Sequence, residues 1–235
     1  ILAGLTAAGS AQAVHVNPDG LGQVLLYPYY TVQNGFDTYV HVVNTTDSVK
    51  AVKVRFLEGK NSQEVLDFNL YLSPNDEWTG VITKTDTGAQ LTSADTSCVA
   101  PATLANGVAF RNFEYSTDTL NTLERTREGY IEVIEMGEIV NDPLDDTDLA
   151  DAATHTSAGV PADCDAIRNA AKAGGVLNLN DPADITGPAG GLYGFNSLIN
   201  VNGGMKSTVD ATALDNFVAL GADAIHFSPG TTSPS

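Results

Sequence analysis

Apolar and polar residues alternate along several short stretches of the chain, and this period of two predicts β-strands with one buried face. In the stretch DTYVHVVNTTDSVKAVKVRFLEG, residues 37–59, two such strands flank a polar turn, which predicts a β-hairpin. Val54 and Phe56 fall on one face of the second strand. Lys53 and Arg55 fall on the opposite face, so we expect that face to lie in solvent.

Five further stretches predict strands by the same alternation or by their content of β-branched and aromatic residues. They span residues 24–32, 66–72, 78–83, 108–113 and 130–139. Pro28 has no backbone N–H donor, so the first of these strands is expected to lie at a sheet edge or to break there. Residues 83–97 contain almost no large apolar side chain and predict an exposed loop. Short strands at this density predict an immunoglobulin-like antiparallel β-sandwich.

A run of acidic and small residues, followed by a predicted helix, interrupts the strand pattern at about residues 141–175. A proline at the first turn, aspartates near the positive end and two glycines after the end mark this helix at residues 161–173. Alternation resumes in the stretch GGLYGFNSLINVNGG, whose final glycine pair predicts a hairpin turn. We therefore expect one mainly β domain over residues 14–235, with a short helical, acidic insertion.

The chain begins with small and apolar residues, ILAGLTAAGSAQA, that end in the small-x-small pattern of a signal-peptidase site, Ala11-Gln12-Ala13. We expect residues 1–13 to be the remnant of a signal peptide. The alternative is an apolar segment that is retained in the fold. No later run reaches the roughly 18 apolar residues that a membrane span needs. The pattern predicts an exported protein, secreted or at the cell surface, without a membrane span.

Acidic residues outnumber basic residues by 29 to 11, which gives a formal net charge of −18. Nucleic-acid binding requires basic side chains that neutralise phosphates, and the sequence contains no basic patch. Anionic lipid surfaces repel such a chain for the same reason. The charge therefore predicts no nucleic-acid partner.

The chain has two cysteines, Cys98 and Cys164. We expect them to form a disulfide bond, because export places the chain in an oxidising compartment. Such a bond would close a loop of about 65 residues and stabilise the fold by about 4 kcal/mol through loss of unfolded-state entropy. The alternative is a pair of unpaired buried thiols.

The acidic run is the strongest local indication of a ligand. Its five carboxylates belong to Asp142, Asp145, Asp146, Asp148 and Asp151. Calcium takes six to eight oxygen ligands on a flexible loop, so the run predicts a weak calcium site. The spacing is not that of an EF-hand, because an aspartate stands where the loop requires glycine. The alternative is a solvated acidic loop with no cofactor.

Catalytic motifs are missing from the sequence. Neither G-x-S-x-G nor S-x-x-K occurs, and no two of the four histidines have the local spacing of zinc ligands. A glycoside hydrolase needs only two carboxylates, for which Asp67, Asp76 and Glu77 are candidates. Asp67 lies on the polar face of its strand and the other two lie in a turn, so a solvated surface explains all three.

Aromatic side chains offer another class of function, the binding of carbohydrate. The candidates for a sugar-stacking platform are Tyr27, Tyr29, Tyr30, Tyr71 and Trp78. They would form a platform only if they met on one exposed face. Trp78 is the single tryptophan, and in a sandwich we expect it in the core.

Two segments, KAVKVRFLEGKNSQEVLDFNLYLSPNDEWTG and GGLYGFNSLINVNGG, resemble a group of exported bacterial surface or secreted proteins of unknown function. The resemblance spans most of the chain from Gly20 to Phe217. It implies export from a bacterial cell and one shared architecture. The resemblance includes no catalytic motif, so it implies no enzymatic activity.

These patterns together predict a non-enzymatic extracellular protein with a structural or adhesive function. Its partners would be copies of itself, as in a subunit of a surface fibre or layer. One alternative is a secreted carbohydrate-binding module whose partners are surface glycans. The other alternative is a glycoside hydrolase.

The segment after the predicted cleavage site supplies the residues predicted to mediate assembly. Val14 and Val16 belong to an arm, residues 14–22, that is punctuated by Gly and Pro. Val24 and Leu26 belong to the apolar strand that follows. An open sheet edge can accept a strand from a neighbouring molecule, so we expect head-to-tail contacts through this arm. The alternative is an arm that pairs within its own domain as the first strand.

Overall fold

The structure is a computed structural model that describes residues 13–101, 104–113, 115, 120–142 and 148–230. Residues 1–12, which carry most of the predicted signal-peptide remnant, lie outside the described residues. Asp145 and Asp146 of the acidic run also lie outside them.

β-Strands are the predominant secondary structure of the described chain, and two short α-helices interrupt them. The strands are β1 (His15–Val16), β2 (Val24–Thr31), β3 (Asp37–Asn44), β4 (Val49–Glu58), β5 (Glu64–Leu72), β6 (Glu77–Lys84), β7 (Ala89–Thr92), β8 (Cys98–Ala100), β9 (Val108–Ala109), β10 (Glu128–Ile139), β11 (Ile185–Thr186), β12 (Leu192–Asn200), β13 (Met205–Asp210) and β14 (Thr212–Asp215). The helices are α1 (Leu149–Ala153) and α2 (Cys164–Ala171), and single 3₁₀ turns occupy Leu123–Arg127 and Val176–Leu179.

The strands form two antiparallel sheets that pack face to face. Sheet A has the order β1-β14-β2-β10-β4-β5-β8, with β11 paired to β10. Sheet B has the order β13-β12-β3-β6-β7-β9. The prediction of a mainly β, antiparallel sandwich with a short helical insertion is confirmed. The immunoglobulin-like topology stays a prediction.

The hairpin predicted over residues 37–59 is wrong, because its two strands belong to different sheets. β3 pairs with β6 and β12 in sheet B, whereas β4 pairs with β5 and β10 in sheet A. The connection crosses from one layer to the other, and Asn44 anchors it by donating hydrogen bonds to the carbonyls of Ser48 and Ser73. Both strands exist as predicted, but the polar segment between them is a crossover.

The prediction for Pro28 is wrong, since β2 is neither an edge strand nor broken there but continues through it with a bulge. β2 lies between β14 and β10. Its register with β10 shifts where Pro28 and Tyr29 lie opposite Tyr130, which is the arrangement of a β-bulge. β14 has already ended at this point, so the missing N–H of Pro28 leaves no sheet partner unpaired.

Residues 83–97 are not the exposed loop that the sequence predicts, since β7 lies within them. The strand adds to sheet B beside β6, and its two apolar residues, Ala89 and Leu91, are buried in the core. Two apolar side chains in a polar stretch are too few to reveal a strand by alternation.

The main core lies between the two sheets and is rich in aromatic residues. Trp78 is fully buried there, as predicted, and its ring lies 5.7 Å from that of Phe68. Phe56 contacts Phe68 and Phe110, with ring centroids 6.3 and 5.2 Å apart. Each such pair contributes about 0.5–1.5 kcal/mol beyond its burial.

A helical layer covers part of the outer face of sheet A and creates a second core. Ile167 of α2 and Leu149 of α1 are buried there together with Tyr71 and Met136 of the sheet. The prediction that one face of β4 is solvated is therefore wrong, since nearly every residue of β4 and β5 is buried.

Ion pairs let polar side chains occupy this covered face. The ammonium of Lys53 lies 2.6 Å from the carboxylate of Asp67, which also accepts a hydrogen bond at 2.8 Å from Arg111. The assignment of Asp67 to a solvated surface is therefore wrong. Burial opposes ionisation of Asp67, but these two cations outweigh it and hold the pKa of the carboxyl below its usual value.

The predicted disulfide between Cys98 and Cys164 is confirmed. It joins β8 to the first turn of α2 across a sequence separation of 66 residues. The helix begins later than predicted, because Asp163 caps it by accepting hydrogen bonds from the backbone N–H groups of Asp165 and Ala166. Loop-closure entropy gives this bond a stabilising contribution of about 4 kcal/mol.

Candidate functional site

The arm predicted to mediate assembly pairs within its own domain. β1 forms antiparallel pairs with β14, and Val14 and Val16 are 51% and 60% exposed. Val24 is buried in β2, while Leu26 is half-buried. The arm thus supplies the first strand of the sandwich, as the alternative interpretation expects. Head-to-tail contact through its exposed side stays a prediction.

The acidic run leads into α1. Asp148 precedes the helix, and Asp151 within it accepts a hydrogen bond from the side chain of Asn141 at 3.1 Å. No group of three or more potential metal ligands occurs among the described residues, which include Asp142 but neither Asp145 nor Asp146. The calcium site stays a prediction.

The five candidate aromatic residues do not form a sugar-stacking platform, because they do not meet on one exposed face. Tyr27, Tyr30, Tyr71 and Trp78 are buried, and only Tyr29 is exposed, at 41%. Burial raises the pKa of the Tyr27 and Tyr71 hydroxyls, which therefore remain protonated donors. Their hydrogen bonds hold core strands and loops together; the hydroxyl of Tyr27, for example, donates to the His41 carbonyl at 2.7 Å.

A groove of about 660 Å³ lies beside the bulge in β2 and is lined by Tyr29, Arg125 and Glu128, among other residues. Two of its charged residues, Arg125 and Glu128, form bonds within the protein. The guanidinium of Arg125 lies 2.9 Å from Glu58 and stacks on the ring of Tyr115 at 4.2 Å. Glu128 accepts a hydrogen bond from the hydroxyl of Tyr29 at 3.1 Å.

A hydroxyl, imidazole and carboxylate cluster lies where the helical layer meets the sandwich. The Nδ1 atom of His155 is 2.6 Å from the hydroxyl of Ser73 and 3.5 Å from the carboxylate of Asp76. The Nε2 atom of His155 is 3.1 Å from the hydroxyl of Thr96. These residue types also occur in nucleophilic catalysis, where the hydroxyl is the nucleophile and the imidazole its base. The hydrogen bonds of the two hydroxyls therefore indicate whether the cluster is catalytic or structural.

Both hydroxyls of this cluster are held by backbone groups. Ser73 is buried, donates to the carbonyl of Ala153 at 3.0 Å and accepts from the backbone N–H of His155 at 3.0 Å. Thr96 donates to the carbonyl of Gly159 at 3.0 Å. The cluster therefore ties the segment after α1 to the end of β5 and to the segment before β8.

Four ring side chains meet on the outer face of sheet B, and we call this set the aromatic face: Tyr39, His41, Tyr193 and Phe195. The rings of His41 and Phe195 are stacked, with centroids 4.1 Å apart and an angle of 10° between their planes. Tyr193 lies 6.0 Å from Phe195, and Tyr39 is 38% exposed. The face is thus a partly exposed row of rings across two neighbouring strands.

Strand alternation places these rings together. His41 on β3 is the direct cross-strand neighbour of Phe195 on β12, and Tyr39 is two residues away on the same face. The sequence shows that Tyr193 and Phe195 share a face, but it gives no sign that this face points to solvent. The opposite face of β12 supplies Leu192 and Leu198 to the buried interior.

Two carboxylates border the aromatic face. Glu77 lies 2.8 Å from the Nδ1 atom of His41, and Asp210 accepts a hydrogen bond from the hydroxyl of Tyr193 at 3.3 Å. Desolvation and the neighbouring Asp210 carboxylate raise the pKa of the Tyr193 hydroxyl. The hydroxyl therefore stays protonated and donates to Asp210.

β13 forms an open edge of sheet B beside the aromatic face. Among the described residues it pairs with β12 alone, and five of its six residues are exposed. The other sheet edges in the described chain are short or covered. β1 and β9 have two residues each, and α2 covers β8, where Arg168 donates to the carbonyl of Val99 at 3.0 Å.

No described helix is both long and apolar enough to span a lipid bilayer. Comparisons of the chain with protein-family models, with curated proteins and with solved structures found no match, so its function rests on the geometry above.

Proposed function

We propose that the chain is an exported, non-enzymatic surface protein that uses sheet B for contacts with copies of itself. The observation that carries the proposal is the asymmetry of the sandwich. Sheet A has a helical layer on its outer face and a helix over its β8 edge. Sheet B presents a partly exposed aromatic face and the open edge of β13. Uncovered edges and apolar surfaces of this kind are typical of interaction sites.

Two further features support export and a structural role. A disulfide bond is typical of proteins that fold in oxidising compartments. The hydroxyl, imidazole and carboxylate cluster around His155 binds backbone groups of neighbouring segments, as a structural tether does. The resemblance to exported bacterial surface proteins agrees with this proposal and stays a prediction.

Self-assembly is tested by electron microscopy of the full chain, purified with its disulfide intact, over a series of concentrations. We expect filaments or layers that grow with concentration, because association through an open surface obeys mass action. The same samples are measured by light scattering after gel filtration. A single monomeric species at every concentration, with no ordered particles on the grid, would contradict the proposal.

A second candidate function, carbohydrate binding, is favoured by the aromatic face. The rings of Tyr39 and Phe195 offer apolar surfaces against which the C–H face of a sugar ring can pack. The carboxylates of Glu77 and Asp210 border these rings and can accept hydrogen bonds from sugar hydroxyls. An adhesive protein could use this face while its edge remains available for assembly.

Tyr39→Ala is expected to weaken glycan binding about tenfold, because it removes the most exposed ring of the aromatic face. A glycan array identifies a ligand, and titration calorimetry then compares the wild type with the variant. Tyr29→Ala is the matched control, since Tyr29 has similar exposure but lies outside the aromatic face. An equal loss of affinity in the two variants, or an array without signal, would count against carbohydrate binding.

A further inference from the structure

The backbone of β13 has hydrogen-bonding groups that point away from its sheet. The N–H of Ala211, directly after β13, donates to the carbonyl of Gly194 on β12 at 2.9 Å. In an antiparallel ladder, backbone groups of alternate residues point to opposite sides of the strand. The N–H and C=O groups of Lys206, Thr208 and Asp210 therefore point outward, away from β12.

The side chains of these same three residues carry a complementary charge pattern. They share the outer face of sheet B, since they lie opposite Ile199, Ser197 and Phe195 of β12. Lys206 is positive and Asp210 is negative, and each is two residues from the neutral Thr208. Neither Lys206 nor Asp210 has an ion-pair partner within the described chain.

We infer that β13 pairs with β13 of a second copy of this chain, antiparallel and about a two-fold axis at Thr208. In this register Thr208 lies opposite Thr208, and Lys206 of each copy lies opposite Asp210 of the other. Each of these pairs exchanges two backbone hydrogen bonds, because their N–H and C=O groups point outward. The inference rests on the proposed self-association and names the surface that performs it.

Charge selects this register over its neighbours. A register with its two-fold axis at Lys206 would place the two lysines opposite each other, and one with its axis at Asp210 would oppose the two aspartates. Like charges directly opposite destabilise a strand pair, whereas opposite charges and threonine pairs stabilise it. Among the two-fold registers along this strand, only the one with its axis at Thr208 pairs both charges of each copy.

The paired state has a clear geometry. Two six-stranded sheets would join into one continuous sheet, and the aromatic faces of both copies would lie on the same side of it. The contact is self-complementary, so it forms a dimer that is closed at this edge. A fibre or layer would then need a second contact surface elsewhere on the dimer.

Charge reversal tests the inference by sedimentation equilibrium of the full chain at low salt. We expect a dimer in the wild type. Lys206→Asp should raise the dimer dissociation constant roughly tenfold to hundredfold, because the introduced carboxylate of each copy then lies opposite Asp210 of the other. Asp210→Lys alone should have a similar effect. The double variant Lys206→Asp/Asp210→Lys should restore the dimer, since it reverses both charges in the same register.

Lys84→Asp is the matched control, because it makes the same charge change at an exposed site on β6 of the same sheet. It should leave dimerisation within about twofold of the wild type. A monomeric wild type, a Lys206→Asp variant that dimerises normally, or a double variant that fails to recover would each overturn the inference. Filaments that form equally well in Lys206→Asp would overturn this pairing while sparing the proposed assembly. A dimer without larger particles would support this pairing and contradict the growth of filaments or layers expected above.

Discussion

Lowering the pH from 7 to 5 is expected to cost about 2 kcal/mol of folding free energy through His226 alone. The histidine is buried where the C-terminal segment lies against sheet A. Its Nδ1 atom is 3.1 Å from the side-chain oxygen of Asn178, and its Nε2 atom is 2.9 Å from the hydroxyl of Tyr71. The amide of Asn178 donates to two backbone carbonyls, so its oxygen remains to accept from Nδ1.

This arrangement fits the neutral imidazole and disfavours the charged one. Tyr71 donates to Nε2, because burial raises the pKa of its hydroxyl and keeps the proton on oxygen. Desolvation and the nearby ammonium of Lys53 lower the pKa of His226 from 6.5 to about 3. The unfolded chain therefore binds a proton below pH 6.5 that the folded chain binds only near pH 3. Stability is lost as the pH falls between these two values.

His226→Gln is the variant that isolates this effect, since glutamine is polar but does not titrate. The free energy of unfolding is measured in urea at pH 7 and at pH 5 for both proteins. Burial raises the pKa of Glu64 and Glu135, whereas Glu58 and Asp67 have lowered pKa values. These contributions are shared by the two proteins and cancel in the difference. Equal losses in the wild type and the variant between pH 7 and pH 5 would show that His226 is not the source.

Lys50→Met is expected to destabilise the protein by about 3–5 kcal/mol at neutral pH, because it leaves a buried carboxylate without its cation. The ammonium of Lys50 lies 2.8 Å from Glu135 and 2.6 Å from Glu138. The side chains of Lys50 and Glu135 are fully buried. The carboxylate of Glu135 also accepts hydrogen bonds from the backbone N–H groups of Ala189 and Gly190.

The double variant Lys50→Met/Glu135→Gln should recover part of the lost stability, because a neutral amide needs no cation in this site. Lys84→Met, at an exposed position, is the control and should change stability by less than about 0.5 kcal/mol. Urea denaturation at pH 7 measures all of these variants. A Lys50→Met protein as stable as the control would refute the prediction, and so would a double variant less stable than Lys50→Met.

The pH dependence gives a second readout of the same ion pair. Burial raises the pKa of Glu135, and the attraction to Lys50 opposes that rise. Removal of Lys50 should therefore raise the pKa further. A group whose pKa is higher in the folded state loses stability as the pH rises through that value. The loss caused by Lys50→Met should accordingly be smaller at pH 5 than at pH 8.

The sequence by itself determined the local elements of this protein. The alternation in residues 66–72 and 78–83 corresponds to β5 and β6. The missing N–H of Pro28 indicated an irregular strand, although not that the irregularity is a bulge in an internal strand. The two cysteines predicted the disulfide bond, and the two glycines after α2 predicted the end of that helix. The strands, the irregularity at Pro28 and the end of the helix each depend on a residue and its near neighbours, so the local sequence carries their physical cause. The cysteine pair joins distant residues and followed instead from the count of two cysteines.

The tertiary structure alone decided which strand lies beside which and what covers each face. A period of two distinguishes the two faces of a strand, but it does not identify the partner of either face. β3 and β4 therefore looked like a hairpin although a crossover separates them. Lys53 and Asp67 looked solvated because a buried ion pair and an exposed one use the same residue types.

The same reason explains why the candidate sites could not be found in the sequence. The rings of Tyr193 and Phe195 have the pattern of a core face, yet they lie on the outer side of sheet B. Helices α1 and α2, far along the chain, cover sheet A and leave sheet B open. Which surface stays free depends on where distant segments pack, and this is set by long-range contacts that no local pattern records.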